Sequence, residues 1–125
     1  MSKKRILVVD DETSITRLLK LNLEQTGNYE VRAENSGAKA LAAALEFKPD
    51  LILLDVMMPD VDGGDVAASL RQNPNLRKTP LVFLTAMVNK DELGAPEGKI
   101  GGHMYIAKPL NVKGVISVIE RTLGR

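Results

Sequence analysis

Residues 51–63 read LILLDVMMPDVDG, an unbroken apolar run that ends at Asp55 and leads into a segment with Pro59 and Gly63. Four consecutive apolar residues without alternation are typical of a parallel strand that is covered on both faces. The residues from Pro59 to Gly63, taken alone, are typical of an ordinary turn. The stretch therefore predicts a buried strand whose carboxyl end carries Asp55.

Three further apolar runs of this kind lie along the chain, at residues 6–9, 81–84 and, more briefly, 105–107. Residues 29–33 alternate more between apolar and polar side chains, as the edge strand of a sheet does. The pattern predicts five strands, of which four are covered on both faces.

Helical patterns separate the predicted strands. An apolar stripe in residues 15–23 indicates a first helix that Gly27 ends. We expect Ser36 to cap a second helix that stops before Pro49, and a third helix at residues 64–72. Each predicted helix thus connects two strands.

The carboxyl-terminal half is less regular. Asn111 is expected to cap a last helix whose apolar stripe reaches Leu123. The glycines and proline of segment 88–102 leave at most a short or irregular fourth helix. Alternating strands and helices favour a doubly wound α/β fold, with helices on both faces of a five-stranded parallel sheet in the flavodoxin-like order 2-1-3-4-5. We expect residues 1–125 to form a single domain.

The composition excludes several classes of protein. The chain has 17 basic and 16 acidic residues in 125, and this near-neutral balance gives no support for direct nucleic-acid binding. Because cysteine is absent, disulfides and thiolate metal sites are excluded. The apolar runs are far shorter than a membrane helix, and the amino terminus lacks a signal-peptide pattern. We expect a cytoplasmic protein without a membrane partner.

Polar side chains collect at the predicted strand ends: Asp10, Asp11, Asp55, Thr85 and Lys108. The carboxyl ends of parallel strands lie at one edge of the sheet, so these residues are expected to meet there. Two carboxylates about 5 Å apart repel by roughly 3 kcal/mol at an effective dielectric near 20. A hard divalent cation, most plausibly Mg²⁺, would offset this repulsion. Such a site is equipped for phosphoryl transfer to an aspartate.

Each of these features has an ordinary interpretation, such as a helix cap for Asp10 and Asp11. Their occurrence together is what carries information. Residues 6–12, 51–63, 84–86 and 105–109 resemble the signature blocks of response-regulator receiver domains, in order and at the family's spacing. The resemblance covers essentially the whole chain.

The resemblance implies that Asp55 accepts a phosphoryl group from a sensor histidine kinase or a histidine phosphotransfer protein. Asp10 and Asp11 resemble the metal-binding pair, with Asp11 the more direct ligand. The backbone carbonyl of Met57 would complete the protein ligands of Mg²⁺. Beyond self-phosphorylation and autodephosphorylation, no enzymatic activity is implied.

The resemblance also implies a switch. Lys108 would pair with a phosphoryl oxygen, Thr85 would move to bond it, and Tyr105 would change rotamer. The peptide bond before Pro109 would be cis, which an X-Pro bond makes inexpensive. A downstream target would bind the face formed by the fourth helix, the fifth strand and the fifth helix.

Alternatives remain at this point. A phosphatase of the haloacid-dehalogenase type also uses a strand-end aspartate and Mg²⁺, but it requires a second aspartate where this chain has Met57. A flavodoxin relative would need a loop for phosphate binding where this chain has Asp10 to Glu12. A scaffold that works without phosphorylation would not need the acidic residues. The chain could act alone or belong to a larger regulator or hybrid kinase.

Overall fold

The computed structural model describes residues 3–86, 97–100 and 103–124, with only the backbone given at 97–100 and 103. It contains six strands, which are β1 Lys4–Val9, β2 Tyr29–Glu34, β3 Leu51–Asp55, β4 Leu81–Thr85, β5 Glu97–Ile100 and β6 His103–Ala107. Four of them extend an apolar run found in the sequence by one to two residues. The apolar runs therefore located the strands correctly.

The strands form one sheet in the order β2-β1-β3-β4-β6-β5. The first five strands in this order pair in parallel, which confirms the predicted five-stranded parallel sheet and its order. β5 is an additional edge strand that pairs antiparallel with β6. Residues 97–100 lie in the segment expected to hold at most a short helix and form a strand instead. Residues 88–96 and 101–102 of that segment lie outside the described residues.

Four helices cover the sheet in the described part of the chain: α1 Thr13–Gln25, α2 Ala40–Phe47, α3 Gly63–Gln72 and α4 Val112–Leu123. A 3-10 turn at Gly37–Lys39 leads into α2. Asn111 caps α4 as predicted, since its side-chain oxygen accepts a hydrogen bond from the amide of Gly114. The capping prediction for Ser36 is wrong, because its side chain makes no cap bond and contacts a different loop.

Two hydrophobic clusters lie on opposite faces of the sheet. Ile6 and Leu53 point toward α1 and α4, while Leu7 and Leu54 point toward α2 and α3. All four of these side chains are fully buried. Burying one such side chain contributes about 1.5–3 kcal/mol, so the central strands are held firmly from both faces. No helix in the described ranges is both long enough and apolar enough to cross a membrane.

The outer edge of β2 is closed by two side chains from α1. Lys20 Nζ donates to the carbonyl of Val31 at 2.7 Å, and Glu24 Oε2 accepts from the Val31 amide at 3.1 Å. Lys20 and Glu24 also form an ion pair of 3.3 Å. The hydrogen bond from Val31 holds the pKa of Glu24 below its ordinary value. Both edge-facing backbone groups of Val31 are therefore satisfied within the domain.

Candidate functional site

The sheet brings the predicted site residues to one edge. Asp55 and Thr85 are the last residues of β3 and β4, Asp10 and Asp11 follow β1, and Lys108 follows β6. These four strands are neighbours in the sheet. Residues at the ends of adjacent strands lie about 5 Å apart. The expected convergence is what the parallel topology produces.

Three carboxylates form the centre of this site. One oxygen from each of Asp10, Asp11 and Asp55 lies within 4.8 Å of the others. The Asp10 side chain is fully buried and Asp55 is 4% exposed. The amide of Glu12 donates to Asp10 Oδ1 at 2.9 Å, and the amide of Met57 donates to Asp55 Oδ1 at 3.3 Å. Both buried carboxylates are thereby oriented by backbone groups of the loops that follow them.

Lys108 is the cation of the site. Its Nζ lies 2.9 Å from Asp10 Oδ2, 3.5 Å from Asp55 Oδ1 and 3.3 Å from Glu12 Oε1. Burial lowers the pKa of Lys108, but its contacts with Asp10 outweigh this effect and raise the pKa above the usual value. Among the described residues, one ammonium therefore faces several carboxylates, and negative charge exceeds positive charge in this group.

Burial and the neighbouring carboxylate of Asp10 both raise the pKa of Asp55. Its pKa rises from 3.8 to about 6, first because the carboxyl is buried and second because Asp10 is close. Lys108 and the Met57 amide act in the opposite direction without cancelling these causes. The ionised form of Asp55 is thus destabilised in the folded, metal-free domain.

The donor set fits a hard divalent cation. It consists of carboxylates, which Mg²⁺ and Ca²⁺ prefer. Asp10 Oδ2 is buried and accepts no hydrogen bond of good geometry from any described residue, although Lys108 Nζ is its ion-pair partner. A buried acceptor of this kind, beside two more carboxylates, is suited to interact with a cation.

Thr85 of β4 and Tyr105 of β6 are both buried. Thr85 is 3% exposed, and its carbonyl accepts from the Lys108 amide at 2.8 Å. Tyr105 is 1% exposed and pairs in register with Phe83 of β4. The Lys108–Pro109 bond is cis, as the resemblance implied. The movements expected of Thr85 and Tyr105 stay predictions.

The β3–α3 loop (residues 56–62) is closed at its base. The amide of Val56 donates to Leu84 of β4 at 3.0 Å, and the amide of Gly63 donates to the carbonyl of Val56 at 2.9 Å. An isolated bridge joins Met57 to Asp62. The Met57 side chain is 60% exposed beside the site.

Gly63 is required by close packing at this base. A Cβ at Gly63 would lie 2.5 Å from the carbonyl oxygen of Asp55 and 2.7 Å from the Cα of Val56. Both are backbone atoms and cannot rotate away. Gly63 therefore lets the start of α3 lie directly against the end of β3.

Two residues of the site region were missed by the sequence analysis. Glu12 lies 3.3 Å from Lys108 Nζ, and its position directly after Asp10 and Asp11 was the available signal. Asp60 accepts hydrogen bonds from the Ser36 hydroxyl and the Ala38 amide, which lower its pKa to about 2. Nothing in the local sequence pairs Asp60 with a residue more than twenty positions away.

Comparison with known proteins agrees with this geometry. A family model described as "Response regulator receiver domain" matches residues 6–120. PhoP of Bacillus subtilis, an alkaline phosphatase synthesis transcriptional regulatory protein, is 42% identical over 98% of this chain and 49% of its own length. RpaA of Synechocystis, a DNA-binding dual master transcriptional regulator, is 36% identical over 97% of this chain and 49% of its own length. The chain spans about half the length of these curated relatives.

Solved structures show the same fold. The chemotaxis protein CheY4 of Vibrio cholerae superposes with a TM-score of 0.82 at 28% identity, covering 96% of this chain and 98% of that one. A response regulator from Chloroflexus aurantiacus superposes with a TM-score of 0.81 at 30% identity, covering 99% and 100%. Fold and site together define a flavodoxin-like domain with an acidic site at the carboxyl edge of its sheet. The chain belongs to the response regulator receiver domain family of two-component systems.

Proposed function

We propose that Asp55 is the phosphoacceptor of this receiver domain, which we assign to residues 1–125. The observation that carries the proposal is a buried Asp55 carboxylate 3.5 Å from Lys108 Nζ and grouped with Asp10 and Asp11. An Asp55 oxygen would attack the phosphorus of a phosphohistidine on a histidine kinase or phosphotransfer protein. The P–O bond forms as the P–N bond breaks, and the imidazole of the donor leaves.

The acidic residues would hold Mg²⁺ for this reaction. Asp11 and Asp55 are proposed as direct ligands, together with the backbone carbonyl of Met57, and Asp10 as a ligand directly or through water. When bound, the ion neutralises phosphoryl oxygens and the repulsion among the carboxylates. This chain's own contribution is to present these oxygens from short loops fixed to buried strands.

Lys108 and Thr85 would recognise the phosphorylated state. Lys108 Nζ, now shared among Asp10, Glu12 and Asp55, would bind a phosphoryl oxygen, and the Thr85 hydroxyl would bind another. Charge-assisted hydrogen bonds contribute about 1.5–3 kcal/mol, and a tenfold shift between two conformations needs about 1.4 kcal/mol. One such bond is sufficient for a switch. Tyr105 would change rotamer with Thr85.

The output is proposed to be a protein contact. β6 and α4 correspond to the fifth strand and the fifth helix of the expected partner-binding face. The short fourth helix expected in segment 88–102 lies outside the described residues, apart from 97–100, which form β5. The named relatives are transcriptional regulators about twice as long as this chain. We propose that the domain serves as the receiver half of a regulator of that kind, with no direct nucleic-acid contact of its own. The domain would be cytoplasmic and would not turn over external substrates.

Phosphorylation with a small phosphodonor tests the acceptor. The protein is incubated with acetyl phosphate and Mg²⁺, and its intact mass is measured. Wild type should gain one acid-stable, base-labile phosphoryl group, and Asp55→Asn should gain none. Asp65→Asn, which removes an exposed carboxylate from the first turn of α3, is the control and should react like wild type. Equal labelling of Asp55→Asn would refute the assignment.

A further inference from the structure

The β2–α2 connection (residues 35–39) touches both loops of the acidic site without contributing to the acidic cluster. On one side, Asn35 Nδ2 donates to the carbonyl of Asp10 at 2.8 Å and to Thr16 Oγ1 at 3.0 Å. Thr16 is buried in α1. Asn35 therefore ties the residue that follows β1 to the first helix.

On its other side, the connection holds Asp60 of the β3–α3 loop. The Ser36 hydroxyl donates to Asp60 Oδ2 at 2.7 Å, and the Ala38 amide donates to the same oxygen at 3.1 Å. The Ala38 amide belongs to the first turn leading into α2, a place where a carboxylate is favoured. Asp60 thus caps this turn from another loop, which is the role that the sequence assigned to Ser36.

Apolar contacts support the same junction. A Cβ at Gly37 would overlap Val61 Cγ2 and lie 3.0 Å from Met58 Cε. Met58 and Val61 pack against the hydrophobic cluster under α2 and α3. The tip of the β3–α3 loop is therefore held by both hydrogen bonds and packing.

We infer that Ser36 and Asp60 are positioning residues for the metal site. Their hydrogen bond fixes the β3–α3 loop, which carries Met57 directly after Asp55, relative to the segment that Asn35 ties to Asp10. This inference rests on the proposed function of the acidic cluster as a Mg²⁺ site. It adds two residues that touch neither the ion nor the phosphoryl group.

The physical need for such a contact comes from charge and geometry. One oxygen of each of Asp10, Asp11 and Asp55 lies within 4.8 Å of the others, so the carboxylates repel and push the two loops apart when no metal ion is bound. Mg²⁺ demands nearly ideal octahedral geometry, so loops that spread would have to be drawn together on binding. A contact outside the ligand set that keeps the loops in place raises metal affinity without touching the metal.

Mg²⁺ affinity measured by calorimetric titration of the whole chain tests the inference. Ser36→Ala and Asp60→Ala should each bind Mg²⁺ about tenfold more weakly than wild type. Ser36→Thr keeps the hydroxyl and Asp60→Asn keeps an acceptor oxygen, so each should stay within about threefold of wild type. The double variant Ser36→Ala/Asp60→Ala should lose no more than the single Asp60→Ala variant, because both changes remove one shared contact.

Two controls separate positioning from general stability and from charge. Asp50→Asn alters a carboxylate that accepts from the Arg5 amide at 2.8 Å, before β3 and away from the site, and should leave Mg²⁺ affinity unchanged. Urea denaturation in EDTA compares the stabilities of all variants. If the Mg²⁺ affinity falls in proportion to the free energy of unfolding in both Asp50→Asn and Ser36→Ala, the positioning role is refuted.

The remaining outcomes are equally distinct. If Asp60→Asn loses as much affinity as Asp60→Ala while Ser36→Ala loses none, Asp60 acts through its charge and the inference fails. If wild type binds Mg²⁺, Asp11→Ala does not, and both alanine variants bind like wild type, only the inference fails. If wild type itself binds no Mg²⁺, the proposed function of the cluster fails with it.

Discussion

Replacing Asp55 by asparagine should stabilise the metal-free domain near neutral pH. Asp55 is 4% exposed and shares the carboxyl edge of the sheet with the fully buried Asp10. Asparagine has nearly the same shape but carries no charge. It therefore removes the cost of burying a second carboxylate beside Asp10 while keeping an oxygen that can accept from the Met57 amide.

The magnitude follows from the raised pKa of Asp55. Because the pKa of Asp55 is about 6 in the folded domain and ordinarily 3.8, folding is disfavoured at every pH where the unfolded chain is ionised at this residue. Each pKa unit corresponds to about 1.4 kcal/mol, so the cost above pH 6 approaches about 3 kcal/mol. The cost is absent below pH 3.8, where Asp55 is protonated in both states, and it grows as the pH rises from there to about 6.

The assay is urea denaturation of wild type and Asp55→Asn in EDTA, at about pH 7.5 and at about pH 4. We expect the variant to gain about 1–3 kcal/mol at the higher pH and close to nothing at the lower pH. Asp65→Asn is the control and should show no comparable pH-dependent gain. A variant that is less stable than wild type at neutral pH, or a gain equal at both pH values, would refute the reasoning.

Three further predictions concern the same site. Gly63→Ala should lower the free energy of unfolding by about 1–3 kcal/mol in urea denaturation, because its Cβ would meet only backbone atoms of Asp55 and Val56. Mg²⁺ at one hundred times its Kd should stabilise wild type by about 2.7 kcal/mol. Asp11→Ala should abolish that gain in thermal denaturation. Lys108→Met should cost about 3 kcal/mol at neutral pH by leaving buried carboxylates unpaired, and less once Asp55 is protonated below about pH 6. A destabilisation by Lys108→Met that does not change with pH would contradict its electrostatic origin.

The parallel sheet could be predicted because its signal is local. A run such as residues 51–54 is apolar throughout only where both faces of a strand are covered, as the complete burial of Leu53 and Leu54 confirms. The alternation of strands and helices indicated a doubly wound sheet, and the flavodoxin-like order was the leading choice among the orders that such sheets adopt. The convergence of Asp10, Asp55 and Lys108 followed in turn, since parallel strands place their carboxyl ends at one edge.

Features that depend on tertiary contacts could not be predicted in this way. Ser36 has the residue type and position of a helix cap, but Asp60 competes for its hydroxyl from a loop 24 residues away in sequence. β5 was missed because the glycines and the proline of segment 88–102 argue against a helix but do not by themselves indicate a strand. Gly101 and Gly102, between β5 and β6 in sequence, are equally typical of the two-residue connections that join antiparallel strands.

The cover over Val31 has a consequence for assembly. A strand of another chain that adds to a sheet must hydrogen-bond to the outward amide and carbonyl groups of the edge strand. At Val31, in the middle of β2, these two groups are already bonded to Glu24 and Lys20. A strand that pairs along the whole edge of β2 would first have to break both of these hydrogen bonds. Addition of a peptide strand, or of a second copy of this chain, is therefore disfavoured at the β2 edge of the sheet.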